Sequence, residues 1–449
     1  MTVLPAVREV DLIIRGGTAL TMSPRDGIVE DPLIIVDRGK ILHAAPWDPQ
    51  MERQYRPKET LSAKGRLILP GLVNTHTHLP MVCFRGMADD LPLMSWLRDH
   101  IFPVEAKFIN RETVYAGSIL AIAEMILSGT TTCCDAYFHE SSVARAAVAS
   151  GFRLIPCQGF LDAGPKPGGD LAAQMEVARG FLDKWRGPSP LIVPALACHA
   201  AYTCRGETLQ AIKKIAREEN ALFMIHLAET REEVEEVRSR FGTTPVRYLQ
   251  KLGVLDDQTL AVHCNWIDSG EIDILAECDV KISHNPESNM KLAAGMAPVP
   301  TLLLRGLDVG LGTDGAASNN NLDLFGEMSI AARYHKLKEG NPTVMDATVV
   351  TVMATVGGAR ALRLDAAIGS IEPGKAADLI LLDLSKPHLT PMYNPYSHLV
   401  YAASGSDVSD SVINGRIVMR DRKLLTIDAD AAMEEVRAIA RTIGRKTSV

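Results

Sequence analysis

The segment from Arg66 to His78 reads RLILPGLVNTHTH, an apolar run that ends in two histidines separated by a single residue. Seven further short apolar runs follow it before residue 316, and they alternate with helical patterns such as that of 207–220. This alternation predicts parallel strands joined by helices. Eight such repeats within ~300 residues favour one closed, TIM-like (β/α)8 barrel over an open, doubly wound sheet.

Residues able to bind a metal or transfer a proton end six of the eight runs. The predicted strands cover residues 66–76, 130–138, 152–160, 191–199, 221–229, 259–266, 280–286 and 308–315. The residues at their ends are His76 with His78, His199, His226 with Glu229, His263, His284 and Asp314. The C-terminal ends of barrel strands converge on one face, so these side chains become neighbours there. One histidine alone would be unremarkable, but six equivalent positions predict an active site.

The two ends of the chain are rich in β-strand patterns. Residues 1–65 contain two alternating runs with glycine turns, and residues 366–449 contain two more, with an Asn-Gly hairpin turn at 414–415. We expect both ends to form one small β-sandwich around a barrel at 66–365. An amphipathic helix is predicted at 431–443.

The composition is typical of a globular protein, with 47% apolar and 22% charged residues. The 47 basic and 54 acidic residues give a net charge of −7, which argues against nucleic acid as a partner. No apolar stretch reaches the ~18 residues of a membrane span, and the first residues lack the pattern of a secretory signal. The eight cysteines show no CxxC or framework spacing, so we expect reduced thiols and a cytoplasmic protein.

The histidines at 76 and 78 suit two ligands of one metal ion, since alternate side chains of a strand share a face. His226 and Asp314 would complete a set of three histidines and one aspartate. Zinc prefers such ligands and, in catalytic sites, leaves a position open for water. A two-metal site would need a bridging anionic ligand, often a modified lysine, and the run ending at His199 has no lysine. We therefore predict one metal ion.

Glu229 follows His226 by three residues, where its carboxylate could reach a substrate that lies over the metal. Burial raises the pKa of a glutamic acid toward neutrality, which suits proton transfer. Its position is equally compatible with an acid that favours a helix dipole, because the charged run 230–240 follows it. His263 is either a partner of metal-bound water or a strand-end histidine bonded to backbone.

Five motifs together resemble the amidohydrolase superfamily. They are PGLVNTHTH (70–78), HLAE (226–229), AVHC (261–264), SHNPESNMKLAAGMAP (283–298) and GLGTDGAASNNNLDLFGEM (310–328). More specifically, they resemble the branch that contains 5-methylthioadenosine/S-adenosylhomocysteine deaminases and is related to triazine hydrolases. The resemblance spans nearly the whole chain, including the split sandwich. It implies a (β/α)8 barrel and a hydrolase with one divalent ion, usually zinc and sometimes iron.

Carried over motif by motif, the resemblance implies that the metal ligands are His76, His78, His226 and Asp314. It makes Glu229 and His263 the proton-transfer pair. In the implied mechanism the metal lowers the pKa of a bound water, and Asp314 with His263 takes its proton. Hydroxide attacks the amino-bearing ring carbon, while Glu229 protonates the ring nitrogen and helps ammonia leave.

The resemblance also suggests substrate-binding residues. Trp96 and Glu105 lie after the first strand, where nucleoside deaminases of this branch carry a stacking aromatic residue and an acid that binds ribose hydroxyls. Each has an ordinary alternative, as the hydrophobic anchor of a loop and as a surface acid. His199 would contact the sugar or its 5′ substituent, and Gln158 and His284 complete the predicted set.

One stretch departs from the family pattern. Members that accept S-adenosylhomocysteine are expected to carry arginines after the third strand, since a guanidinium binds a carboxylate in bidentate fashion. Gln158 and Asp170 stand there instead, and Arg153 falls earlier, inside the strand. A neutral 5′ group, such as methylthio or deoxy, is therefore the better prediction.

The resemblance thus implies a hydrolytic deaminase of 6-aminopurine nucleosides. The expected substrate is 5′-methylthioadenosine, with S-adenosylhomocysteine, adenosine and 5′-deoxyadenosine as further ones. The rival hypothesis is an aminohydrolase or chlorohydrolase of another heterocycle, such as a triazine, guanine or a pterin. A non-catalytic, metal-stabilised barrel subunit is a third reading, against which a proton shuttle beside an open ligand set argues. Such families commonly form homo-oligomers.

Overall fold

A computed structural model gives the architecture over residues 7–163 and 169–446. Within these residues, eight parallel strands hydrogen-bond in chain order to form a barrel. They are Leu72–Thr77, Thr130–Tyr137, Arg153–Phe160, Ala195–Ala200, Phe223–Leu227, Thr259–His263, Lys281–His284 and Val309–Leu311. The eighth strand meets the first where Asp314 N donates to His76 O over 3.0 Å. The predicted barrel is confirmed.

The run predicted as one strand at 66–76 is two strands. Arg66–Pro70 pairs with Leu379–Asp383 in a second sheet, so the first barrel strand begins at Leu72 rather than at Arg66. Gly71 separates them, and a Cβ atom at this position would lie 2.0 Å from Thr131 Oγ1. Only glycine allows so close an approach.

Strands from both chain ends build the sandwich. Its first sheet has the order Lys40–Pro46, Pro32–Asp37, Arg8–Arg15 and Tyr55–Ser62. Its second sheet has the order Lys423–Leu424, Arg416–Arg420, Val408–Ile413, Leu379–Asp383, Arg66–Pro70, Thr18–Leu20 and Ile28–Glu30. Buried side chains such as Leu12, Ile34 and Leu381 pack into one core between the sheets. The outermost residues of the two predicted segments, 1–6 and 447–449, lie outside the described part of the chain.

Helices cover the barrel and close the chain. The α-helices in the described residues are Pro49–Glu52, Leu93–Ser95, Phe102–Phe108, Arg111–Leu127, Glu140–Ser150, Leu171–Trp185, Gly206–Glu218, Arg231–Phe241, Pro245–Lys251, Ser269–Glu277, Pro286–Lys291, Val299–Leu304, Leu324–Glu339, Ala347–Met353, Val356–Ala361, Pro395–Tyr401 and Ala429–Lys446. Residues Trp96–Ile101 form a π-helical turn, and Leu79–Phe84, Pro387–Leu389 and Gly405–Asp407 are 3₁₀-helical. Over the described residues, no helix combines the length and apolarity that a membrane crossing requires.

A buried ion pair fastens the barrel to the sandwich. Arg153, at the start of the third barrel strand, bonds Asp378 through Nε at 2.6 Å and Nη2 at 3.1 Å. Asp378 also accepts a hydrogen bond from Asn414 N over 2.7 Å. Both charged side chains are at most 7% exposed. Arg153 therefore forms its ion pair with Asp378 at the junction of the barrel and the sandwich.

Candidate active site

The four predicted metal ligands lie side by side at the C-terminal ends of the barrel strands. His76 Nε2 and His78 Nε2 are each 3.3 Å from Asp314 Oδ1. His226 Nε2 is 3.3 Å from His76 Nε2. The ligand atoms of His76, His78 and Asp314 all lie within 4.8 Å of one another, and so do those of His76, His226 and His263.

Hydrogen bonds on the far side of two imidazole rings orient them toward this cluster. His78 Nδ1 donates to Ala136 O over 2.5 Å, and His226 Nδ1 donates to His199 O over 2.9 Å. A carbonyl can only accept, so in each neutral ring Nε2 keeps its lone pair. Burial lowers the pKa of His76 to about 4 and that of His226 well below its usual value. The neutral imidazole that results is the form that binds a metal.

Asp314 is held as an ionised carboxylate. Ser288 and Ser318 donate to its Oδ2 over 2.7 and 3.0 Å, and Gly315 N donates to its Oδ1 over 2.8 Å. These three donors stabilise the ionised form of the carboxylate. Neutral imidazole nitrogens together with one carboxylate are a set of ligand atoms that suits a divalent cation.

Glu229 faces the cavity over the cluster, with Oε1 3.7 Å from His263 Nε2. The following helix has Thr230 as its N-cap, so Glu229 lies outside the helix. This placement favours the proton-transfer reading over the helix-dipole reading. Burial, with a smaller contribution from the charge of Asp314, raises the pKa of Glu229 to about 8. Glu233 anchors the peptide by accepting hydrogen bonds from Glu229 N and the preceding amide.

Two asparagines connect the candidate proton-transfer residues. His263 Nδ1 donates to Asn289 Oδ1 over 2.8 Å, which leaves Nε2 as the basic nitrogen that faces Glu229. Asn289 Nδ2 donates to Asn265 Oδ1, and Asn265 Nδ2 donates to Glu229 O, each over 3.0 Å. A single chain of amide hydrogen bonds therefore fixes both groups.

The cavity above the cluster opens to solvent, and the space between its walls, including the part open to solvent, is about 1000 Å³. Trp96, Glu105 and His199 all line it, together with Glu229 and three of the predicted metal ligands, His78, His226 and Asp314. Trp96 and Glu105 are buried, at 4% exposure each. Glu105 is therefore not a surface acid, whereas burial of Trp96 is compatible both with a loop's hydrophobic anchor and with a stacking residue. His199 Nδ1 bonds Thr203 Oγ1 over 2.8 Å, and burial lowers the pKa of His199 to about 4.

Two predicted substrate-binding residues, Gln158 and His284, are not among the described residues that line this cavity. Gln158 Nε2 donates to the carbonyl of the next residue over 3.2 Å. His284 Nε2 lies 3.4 Å from His335 Nε2, on helix Leu324–Glu339. Strand alternation gives His284 the orientation of Ile282, which packs outward with the helices. Asp170 caps helix Leu171–Trp185 by accepting from Ala173 N over 2.8 Å.

The sequence reasoning missed several residues that support the site. They are Tyr137, Glu233, Ser288, Asn289 and Ser318. Four of them carry a usable signal, because Glu233, Ser288, Asn289 and Ser318 each lie four or five residues after a strand-end residue in the chain. Their partners could be found only from the folded geometry.

The barrel carries imidazoles and a carboxylate that converge beneath an open cavity, and the carboxyl group of Glu229 lies 3.7 Å from the ring of His263 at the same face. These features define the class of metal-dependent barrel hydrolases. The chain belongs to the amidohydrolase family, whose model matches residues 67–418. The predicted membership, and with it the prediction of an enzyme that hydrolyses C–N bonds, is confirmed.

Individual proteins match over most of the chain. The 5-methylthioadenosine/S-adenosylhomocysteine deaminase of Syntrophobacter fumaroxidans is 48% identical over 436 residues, which cover 97% of this chain and 99% of that protein. The 5′-deoxyadenosine deaminase of Methanothermobacter thermautotrophicus is 48% identical over 381 residues, covering 85% and 88% of the two chains. A crystal structure of an adenosine deaminase from Xanthomonas campestris with bound zinc has a TM-score of 0.94 and 37% identity, and the match covers 98% of this chain and 100% of that chain.

Proposed function

We propose that this protein is a metal-dependent deaminase that converts 6-aminopurine nucleosides to the inosine analogue and ammonia. One observation carries the proposal: a single cavity brings Glu229 and the metal-ligand cluster together with Trp96, Glu105 and His199. The first group suits hydrolysis at a ring carbon, and the second suits a base with a sugar attached. The names of the relatives, deaminases of adenine nucleosides, support the same substrate class.

His76, His78, His226 and Asp314 would hold the metal ion, for which we propose Zn²⁺, with Fe²⁺ as the alternative. A bound divalent ion would supply a water of lowered pKa. His263 Nε2 is the basic nitrogen placed to accept a proton from that water. Because its raised pKa keeps Glu229 protonated near neutral pH, its carboxylic acid can donate to a purine ring nitrogen.

The cavity favours substrates with an uncharged 5′ group. Among the described residues that line it, there is no lysine or arginine, whereas Glu105, Glu229 and Asp314 are acidic. Arg153 begins the third strand and is paired with Asp378, at the end of that strand opposite to the cavity. We therefore propose 5′-methylthioadenosine and 5′-deoxyadenosine as better substrates than S-adenosylhomocysteine, whose amino acid carboxylate would lack a cationic partner.

A panel of substrates tests the proposal. Metal-loaded protein should release ammonia from 6-aminopurine nucleosides faster than from adenine, guanine, a pterin or a triazine. Glu105→Gln should raise KM for the nucleosides and leave the kinetics of the small bases unchanged. Absence of ammonia from every nucleoside would refute the proposal, and turnover of a triazine or a free base alone would support the rival heterocycle hypothesis. Inactivity on the whole panel would favour a non-catalytic subunit.

We further propose a cytoplasmic homo-oligomer. All eight cysteines are free thiols, and seven of them are buried, which suits a reducing compartment. Sedimentation of the purified protein would test the oligomeric state.

A further inference from the structure

Tyr137 contacts the carboxylate that the proposed function assigns to the sugar. It is the last residue of the second barrel strand, and its hydroxyl donates to Glu105 Oε1 over 2.5 Å. Glu105 comes from helix Phe102–Phe108, which follows the π-helical turn that carries Trp96. The side chains of Tyr137 and Glu105 both line the cavity and are buried, at 8% and 4% exposure respectively. The Tyr137 hydroxyl on the barrel therefore binds the Glu105 carboxylate on helix Phe102–Phe108.

The position of Tyr137 is itself fixed by the barrel. Its backbone N–H donates to Oε1 of the buried Glu140 over 2.5 Å. Its ring packs edge-on against Phe138, with centroids 5.1 Å apart. The preceding residue, Ala136, accepts the hydrogen bond that orients His78. Adjacent residues of one strand thus hold a metal-ligand ring and the hydroxyl that contacts Glu105.

We propose that Tyr137 is a positioning residue that orients the Glu105 carboxylate toward the ribose hydroxyls and so aligns the purine with the metal-ligand cluster. This inference rests on the proposed nucleoside deaminase function. A carboxylate has about four acceptor positions on its two oxygens, so a bond from Tyr137 to Oε1 is compatible with further bonds to a diol. A hydrogen bond to a charged acceptor is short and strong, which limits rotation of the carboxylate.

The tyrosine remains a donor throughout the working pH range. Burial, together with the charge of Glu105, raises the pKa of the Tyr137 hydroxyl well above its usual value. The hydroxyl therefore does not ionise and repel the carboxylate. If Tyr137 only filled space, its ring would suffice, and the hydroxyl could be removed without consequence for sugar recognition.

Tyr137→Phe removes the hydroxyl and keeps the ring, and a selectivity ratio measures the result. We expect kcat/KM for adenosine to fall by about tenfold to hundredfold, mostly through KM, which is the range for one hydrogen bond to a charged group. The kcat/KM for 2′,3′-dideoxyadenosine, which lacks the diol, should change less than about twofold. Tyr248→Phe is the matched control, because Tyr248 is equally buried, at 8% exposure, and lies outside the cavity lining. Neither substrate should be affected by it.

A double-mutant cycle tests whether Tyr137 acts through Glu105. The penalties of Tyr137→Phe and Glu105→Gln for adenosine should not add, since both changes act through the same contact between the Glu105 carboxylate and the ribose diol. Additive penalties, or an equal loss for adenosine and its dideoxy analogue, would overturn the inference while leaving the deaminase function intact. A wild-type enzyme that deaminates no nucleoside would refute the proposed function, and the positioning role would fall with it.

Discussion

Glu229→Gln should lower kcat by about 10²- to 10⁴-fold, the usual contribution of a general acid or base. At 1.36 kcal/mol per factor of ten, this corresponds to about 2.7–5.4 kcal/mol of transition-state stabilisation. The substitution changes little else. A pKa near 8 means that the wild-type side chain is mostly neutral at pH 7, like the amide that replaces it. The backbone of Glu229 is held by Asn265 and Glu233, whose contacts involve only its main chain.

Three measurements check this prediction. Ammonia release gives kcat, elemental analysis gives the metal content, and denaturant unfolding gives the stability. The metal content should equal that of the wild type, because Glu229 is not among the four proposed ligands. The folded-state pKa of Glu229 lies above its ordinary 4.5, so its contribution to stability is full below pH 4.5 and is lost as pH rises through about 8. The metal-free variant should therefore be at least as stable as the wild type at pH 9.

Glu232→Gln is the matched control, since Glu232 is exposed on the following helix and undergoes the same chemical change. Its kcat should stay at the wild-type value. A Glu229→Gln enzyme that retains more than a tenth of wild-type kcat would refute the assigned proton transfer. A loss of metal content in that variant would instead make Glu229 part of the metal site.

Further predictions follow from contacts around the site and the domain junction. Dialysis of the enzyme against a chelator should abolish ammonia release and lower Tm, and added Zn²⁺ should restore both; a chelator-resistant activity would contradict the metal assignment. Asn289→Leu should lower kcat by about 10- to 100-fold with little change in KM, because His263 loses the acceptor that fixes its tautomer; a change confined to KM would count against this role. Arg153→Met should cost about 3–5 kcal/mol in denaturant unfolding by leaving Asp378 buried and unpaired, whereas the double variant with Asp378→Leu should recover part of that loss. A loss in the double variant equal to the sum of the two single-variant losses would show that the pair is not coupled.

The sequence was sufficient to predict the barrel and the cluster because both depend on local rules. Alternating apolar runs and helices predict the parallel strands, and the C-terminal ends of such strands must meet. His76, His78, His226 and Asp314 could therefore be grouped without any knowledge of distances. The structure brings these four side chains together.

Other features depend on facts that a linear pattern does not contain. The apolar run from Arg66 continues through Gly71, and only the contact with Thr131 shows that two sheets separate there. His284 ends a strand like the other histidines, but the four-residue strand directs it outward to His335.

Backbone conformation limits prediction at the strand ends as well. Ala228, His263 and Asp314 have φ values of 50°, 74° and 60°, in the left-handed region that residues other than glycine rarely adopt. Strand alternation no longer holds beyond such residues, so their sequence cannot fix where the next side chain points. Uncommon backbone conformations of this kind cluster at functional sites.

The pairing of Arg66–Pro70, the sandwich strand just before the first barrel strand, has a consequence for the order of assembly during synthesis. Arg66–Pro70 is six residues from His76, yet one of its edges pairs with Leu379–Asp383, which the ribosome makes more than 300 residues later. Arg66–Pro70 precedes the barrel strand of the first proposed metal ligand, and it gains that neighbour only after more than 370 of the 449 residues have been made. A chain shortened before residue 379 would contain every proposed ligand and still lack the strand that pairs with Arg66–Pro70, just ahead of the first two ligands.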